Sequence, residues 1–194
     1  SNFTKFQGFT LFSAASTSSG RELWRTDGTA AGTSLFVEFA PGSSSGNPFS
    51  MTASGNSLFL AADNGVSGLE LWRVDAGVPS LVRDINPGSA GSDPERLIAL
   101  PLGRVLLIAD DGIRGTELWS SDGTANGTGL TREINDATDN ANPGTPVAMG
   151  NDVYFSADRA PPADANCGAA TARSPALRAS WTWCSAPAAP TPNS

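Results

Sequence analysis

A chain of 194 residues with 39% hydrophobic and 16% charged side chains is long enough for a sizeable core and has the balance of a soluble globular protein; no apolar run approaches a membrane span. Twelve Lys plus Arg against 19 Asp plus Glu leave a formal net charge of -7, which argues against phosphate backbones and anionic membrane surfaces as partners. The chain has no His, so the commonest acid/base and metal side chain is missing and most hydrolase and zinc readings weaken.

Taken in chain order, no initiator Met, signal peptide or targeting segment stands at Ser1, so the chain reads as a piece of something longer. Gly8 then opens the apolar run Leu11-Phe12-Ser13-Ala14, followed by Glu22-Leu23-Trp24-Arg25-Thr26-Asp27-Gly28-Thr29 and a half-apolar segment, Ser34 to Phe39. The series starts again at Gly55 with Leu58-Phe59-Leu60-Ala61 and Glu70-Leu71-Trp72-Arg73-Val74-Asp75. Gly103 introduces Leu106-Leu107-Ile108-Ala109 and Glu117-Leu118-Trp119-Ser120-Ser121-Asp122-Gly123-Thr124, and Gly150 introduces Tyr154-Phe155-Ser156-Ala157. The Glu-Leu-Trp triplets stand 48 and 47 residues apart, a period that points to repeat architecture.

Each unit holds four short strand candidates, punctuated by Ser54-Gly55-Asn56, by Asp63 to Gly68, by Asp-Gly-Thr, and by Pro41-Gly42 or Pro87-Gly88. No window of helical length carries a 3.6-residue apolar stripe free of Gly or Pro, so the chain is read as all-β. Four antiparallel strands per unit with an aromatic at a fixed place is the pattern of a propeller blade. The expected architecture is a partial β-propeller: blade repeats at 1–47, 48–94 and 95–142, the start of a fourth at 143–158, and an irregular Ala/Pro-rich tail at 159–194. Because propellers close with about four to eight blades, the expected form is an open arc with an exposed sheet face.

Strand alternation puts Glu and Trp on one face and Leu on the other, so that Trp can fill the wedge between adjacent sheets while Leu packs toward the opposite neighbour. Asp27 and Asp122 suit a turn, their carboxylates accepting an N–H two residues on, with Gly28 and Gly123 tolerating positive φ and Thr29 and Thr124 re-entering a strand. Gly32-Thr33 and Gly127-Thr128 then close the hairpin. Calcium ligation by Asp27 and Asp122 is the functional rival, but one carboxylate per turn falls far short of an oxygen shell. Unit two reads Asp75-Ala76-Gly77-Val78-Pro79, without the Thr or the second Gly-Thr, as expected if the turn serves geometry alone. Glu22, Glu70 and Glu117 are read as structural partners of neighbouring backbone or Arg, since acid/base pairs need unlike environments and repetition makes environments alike. Trp24, Trp72 and Trp119 are read as core, with a sugar-stacking platform as the rival. The unpatterned Asp93, Asp136 and Asp139 lie in turn-rich loops, where solvated charge is the plain expectation.

These residues resemble the ELWxxDGT repeat family, found in secreted or surface proteins of bacteria such as myxobacteria and related to hyalin-like repeats. Arg21 to Thr33 and Thr116 to Thr128 carry the motif with its trailing Gly-Thr, Leu69 to Asp75 carries a decayed copy, and the resemblance extends to about residue 158. It implies propeller-like blades and an extracellular or cell-surface setting, and supplies no catalytic residues. The function expected is a non-enzymatic interaction or scaffold module of a larger bacterial surface protein, without cofactor or membrane insertion, contacting a protein or glycan through loops at the blade ends. A carbohydrate-binding lectin-like propeller, or part of a propeller enzyme acting on an extracellular polymer, is the alternative.

The tail, 159–194, has the composition of a disordered Pro/Ala linker, and Cys167 with Cys184 invites a disulfide. Another origin fits better. Taking the last base of each codon with the first two of the next, Asn166 to Cys167 must read Leu, the flanking junctions permit Glu and Trp, and the codons onward to Leu177 permit the Asp-Gly-Thr and Gly-Thr in register. The tail is therefore expected to be a frameshifted fourth blade, poorly packed, with accidental cysteines; the nucleotide sequence near codon 160 tests this.

Overall fold

The computed structural model describes residues 3–135, 140–149 and 152–158. The tail lies outside the described residues, and with it Cys167, Cys184 and the shifted-frame reading.

The architecture is all-β. Strands β1 (Thr4–Phe6), β2 (Phe9–Ser16), β3 (Gly20–Thr26) and β4 (Ser34–Val37) pair in sequence order as one antiparallel sheet. A second sheet repeats the meander with β5 (Phe49–Ser54), β6 (Ser57–Asp63), β7 (Leu69–Asp75) and β8 (Val78–Arg83). A third does so with β9 (Glu95–Leu100), β10 (Arg104–Asp110), β11 (Thr116–Ser121) and β12 (Gly129–Arg132). A hairpin of β13 (Val147–Met149) and β14 (Asp152–Tyr154) starts a fourth unit. The only helical turn among the described residues is the single 3₁₀ turn Pro101–Gly103 between β9 and β10.

The second strand of each sheet pairs with the third through equivalent residues: Phe12 opposite Trp24, Leu60 opposite Trp72, and Leu107 opposite Trp119. This register corrects one alignment made on the glycines. The run of unit two that matches Leu11-Phe12-Ser13-Ala14 is Phe59-Leu60-Ala61-Ala62, one residue beyond the run counted from Gly55. In a strand a one-residue shift exchanges the two faces, so the correction decides which side chains meet which sheet.

The sheets stack face against face, with a different set of residues on each side. One cluster joins Leu11, Leu23 and Val37 of the first sheet to Leu58, Leu60, Ala62, Trp72 and Val74 of the second. Another joins Phe59, Leu71 and Val82 of the second sheet to Val105, Leu107, Ala109 and Trp119 of the third. A last one joins Leu106, Ile108 and Leu118 to Val153, Phe155 and Ala157 of the fourth unit. At each junction the face bearing the motif Leu of one unit lies against the second-strand face of the next, which in units two and three also carries the motif Trp.

First strands meet their counterparts directly. Thr4 Oγ1 donates to the Met51 carbonyl at 3.3 Å and Thr52 Oγ1 to that of Leu97 at 2.7 Å, while an Arg96 guanidinium nitrogen donates at 2.5 Å to the carbonyl of Pro143 in the connector ahead of β13. The three four-stranded sheets thus fan out from the adjacent first strands β1, β5 and β9, and among the described residues the sheets do not close into a ring.

Candidate functional site

The motif glutamates are fully buried, and their carboxylates collect donors from the connector that leads to the next unit. Glu22 accepts the N–H groups of Phe39 at 2.9 Å, Ala40 at 3.2 Å and Gly46 at 2.8 Å. Glu70 takes the N–H groups of Ile85 at 3.1 Å and Asn86 at 3.0 Å and the Ser92 hydroxyl at 2.6 Å. Glu117 takes those of Ile134 at 3.0 Å and Asn135 at 3.2 Å. A buried N–H without an acceptor costs about 1–3 kcal/mol, so each carboxylate allows a loop segment to be buried that has no strand partner.

The pinned residue has a consequence for packing. Phe39, Ile85 and Ile134 carry the first N–H bound by each Glu, and each is buried in the cluster that joins its unit to the next. Phe39 meets Trp72 edge-on, with ring centroids 5.4 Å apart and planes at 77°. A backbone clasp follows the connector: the N–H groups of Asp63, Asp110 and Asp158 donate to the carbonyls of Gly46, Ser92 and Ala141 at 2.8, 2.9 and 2.6 Å. Each Glu therefore orders the chain that bridges two sheets.

Burial holds the Glu70 carboxyl above its ordinary range, against the pull of the Ser92 hydroxyl and the two N–H groups. Burial likewise raises Glu117, opposed by Ile134 and Asn135. Both shifts have the same cause and sign.

Asp27 and Asp122 sit in exposed turns wired alike. Oδ1 of Asp27 accepts the N–H and hydroxyl of Thr29 at 2.9 and 2.8 Å, and Oδ1 of Asp122 accepts those of Thr124 at 2.9 and 2.7 Å. These bonds hold both carboxyls below the usual carboxylate range. Thr29 and Thr124 do not re-enter a strand. Their hydroxyls also receive the N–H groups of Gly32 and Gly127 at 3.0 Å, which keeps both threonines inside the turn, and pairing resumes only at Ser34 and Gly129. The second glycine of the motif is explained here: a Cβ on Gly127 would stand 2.0 Å from an oxygen of the Asp122 carboxylate, and one on Gly32 equally close to that of Asp27. Asp75 has another role, accepting the Ser57 hydroxyl at 2.6 Å and facing Arg73 Nε at 2.7 Å.

Among the described residues, no group of three or more His, Cys, Asp or Glu is arranged to hold a metal ion. Asp93 lies in the second connector, its N–H donating to the Leu69 carbonyl at 3.2 Å; Asp136 and Asp139 lie outside the described residues. Trp72 and Trp119 are buried between sheets, whereas Trp24 is half-buried. Sequence reasoning missed the connector residues Phe39, Gly46, Ile85, Ser92 and Ile134. The one sequence signal, for Phe39, Ile85 and Ile134, is an apolar residue 17, 15 and 17 positions after the motif Glu.

No protein-family model matches the chain, and a search of curated proteins gave no significant match. Among the described residues no helix is long and apolar enough to cross a membrane.

Proposed function

We propose that the chain is a non-enzymatic repeat module of a bacterial cell-surface or secreted protein, its four-stranded sheets serving as blades of a larger propeller. What supports this reading is the commitment of the repeated polar groups: the motif Glu carboxylates hold connectors, and the motif Asp carboxylates of the first and third units hold their own turns. A repeated carboxylate spent on backbone N–H groups is a device for stacking units. Contact with a protein or glycan then falls to the loops between strands, which differ from unit to unit, such as Ser16 to Gly20 against Asp63 to Gly68 and Asp110 to Gly115.

The location is tested with an antibody against the chain on intact and permeabilised source cells. Labelling of intact cells is expected, and labelling only after permeabilisation overturns the surface reading. Incubation of the chain with a panel of extracellular polysaccharides is expected to release no fragments; turnover that survives repurification would establish the enzymatic alternative.

A further inference from the structure

Three faces bearing the motif Glu and Trp, or their fourth-unit counterpart, are covered in this chain. The Leu23 face and Phe39 cover Trp72, the Leu71 face and Ile85 cover Trp119, and the Leu118 face and Ile134 cover Val153 and Phe155. The equivalent face of the first sheet carries Phe12, Trp24 and Leu35, paired across β2, β3 and β4, and no sheet among the described residues lies on it. Leu35 is 38% exposed and Phe12 and Trp24 are half-buried, whereas Leu60 and Leu107, at the position of Phe12, are fully buried. Phe3, 67% exposed, rests its ring 5.9 Å from that of Phe12. The Trp24 indole N–H is nonetheless buried without a hydrogen-bond partner, as are those of Trp72 and Trp119.

We propose that this face is a docking surface for the leucine-bearing face of a further unit of the same repeat, together with the Phe or Ile that such a unit's Glu pins. Continuity with the junctions described above carries this: the second-strand and Trp positions of units two and three take the same kind of partner at both of their junctions, and the described part of unit four does so with its second strand. The clasp has a place too, since Ala15 stands where Asp63 and Asp110 receive the preceding connector, and it is exposed. This inference rests on the equivalence of the units in the reading above, but not on the cellular location or the absence of catalysis.

The test splices a copy of residues 48–95 ahead of Ser1 of the full chain, which sets the added motif 47 residues before Glu22, the spacing between Glu70 and Glu117. The readout is acrylamide quenching of Trp24, taken as the difference between each protein and its Trp24→Phe variant. The expected result is a severalfold fall in Trp24 quenching on extension, with loss of binding of an apolar dye. Replacing the leucine of the added copy's Glu-Leu-Trp by Asp should restore both signals. Unchanged quenching of Trp24 in the extended chain, whether or not the added residues gain strand signal in circular dichroism, overturns the proposal. So does concentration-dependent protection of Trp24 in the unextended chain, which would make a second copy the occupant. Neither failure touches the surface labelling that tests the module reading.

Discussion

Units two and three carry the same Glu-Leu-Trp on the same strand, yet they turn the following hairpin by different means. In unit three the turn is a closed set of side-chain bonds: Asp122 to Thr124, Thr124 to Gly127, and Ser121 to Thr128. Unit two turns in two residues, Ala76 and Gly77 at φ 49 and 84, the pairing of positive φ values that suits the twist of a tight hairpin. Its aspartate is released to join Ser57 and Arg73. The flanking strands are the same length or longer. The motif is therefore two devices of unequal standing: Glu-Leu-Trp acts between sheets and is kept in each complete unit, while Asp-Gly-Thr acts within one hairpin and can be exchanged.

That division predicts a ranking. Leu71→Ala, in the junction of the second and third sheets, should destabilise by about 4 kcal/mol in urea unfolding, while Leu35→Ala on the open face should cost under about 1 kcal/mol; equal costs would break the distinction between covered and open faces. Glu70→Ala and Glu117→Ala should each cost about 3 kcal/mol by stranding buried N–H groups of the connector. A loss of less than about 0.5 kcal/mol would show that the connector does not depend on its acceptor.

Within the hairpins, Gly127→Ala should cost about 2 kcal/mol, because the new methyl group meets the Asp122 carboxylate. Adding Asp122→Gly should recover part of that loss; if it does not, the steric account of the second glycine fails.

The smallest expected effect is in pH. Asp122 has its carboxyl lowered by Thr124, so its contribution is present above the ordinary carboxylate range and fades as pH falls through and below it. Glu117 is raised by burial, so its contribution is fullest below that range and fades as pH rises through it. The stability gap between the natural chain and Asp122→Asn should narrow toward acid, and the gap to Glu117→Gln should narrow from about pH 4 upward. Slopes of the same sign would contradict the assignment of one group to an exposed turn and the other to a buried junction.

Much of this was legible in order along the chain. The period of 48 and 47 residues, the four short strands per unit, the alternation that separates Leu23 from Glu22 and Trp24, and the Asx turn of Asp27 all depend on residues a few positions apart. Local sterics and the two-residue strand repeat decide such features, and these are written in neighbouring residues. Only the tertiary structure decided what the glutamates hold, because Phe39, Ile85 and Ile134 reach them through loops that return to the motif from 15 or 17 residues away. The hydrogen-bond register sets Leu60 opposite Trp72, as the 48-residue spacing of the motifs implies and the count from Gly55 does not. Three motif tryptophans identical in the sequence became unequal in the same way: among the described residues Trp72 and Trp119 have a leucine face stacked on them and Trp24 does not, a difference that exists only once sheets have neighbours.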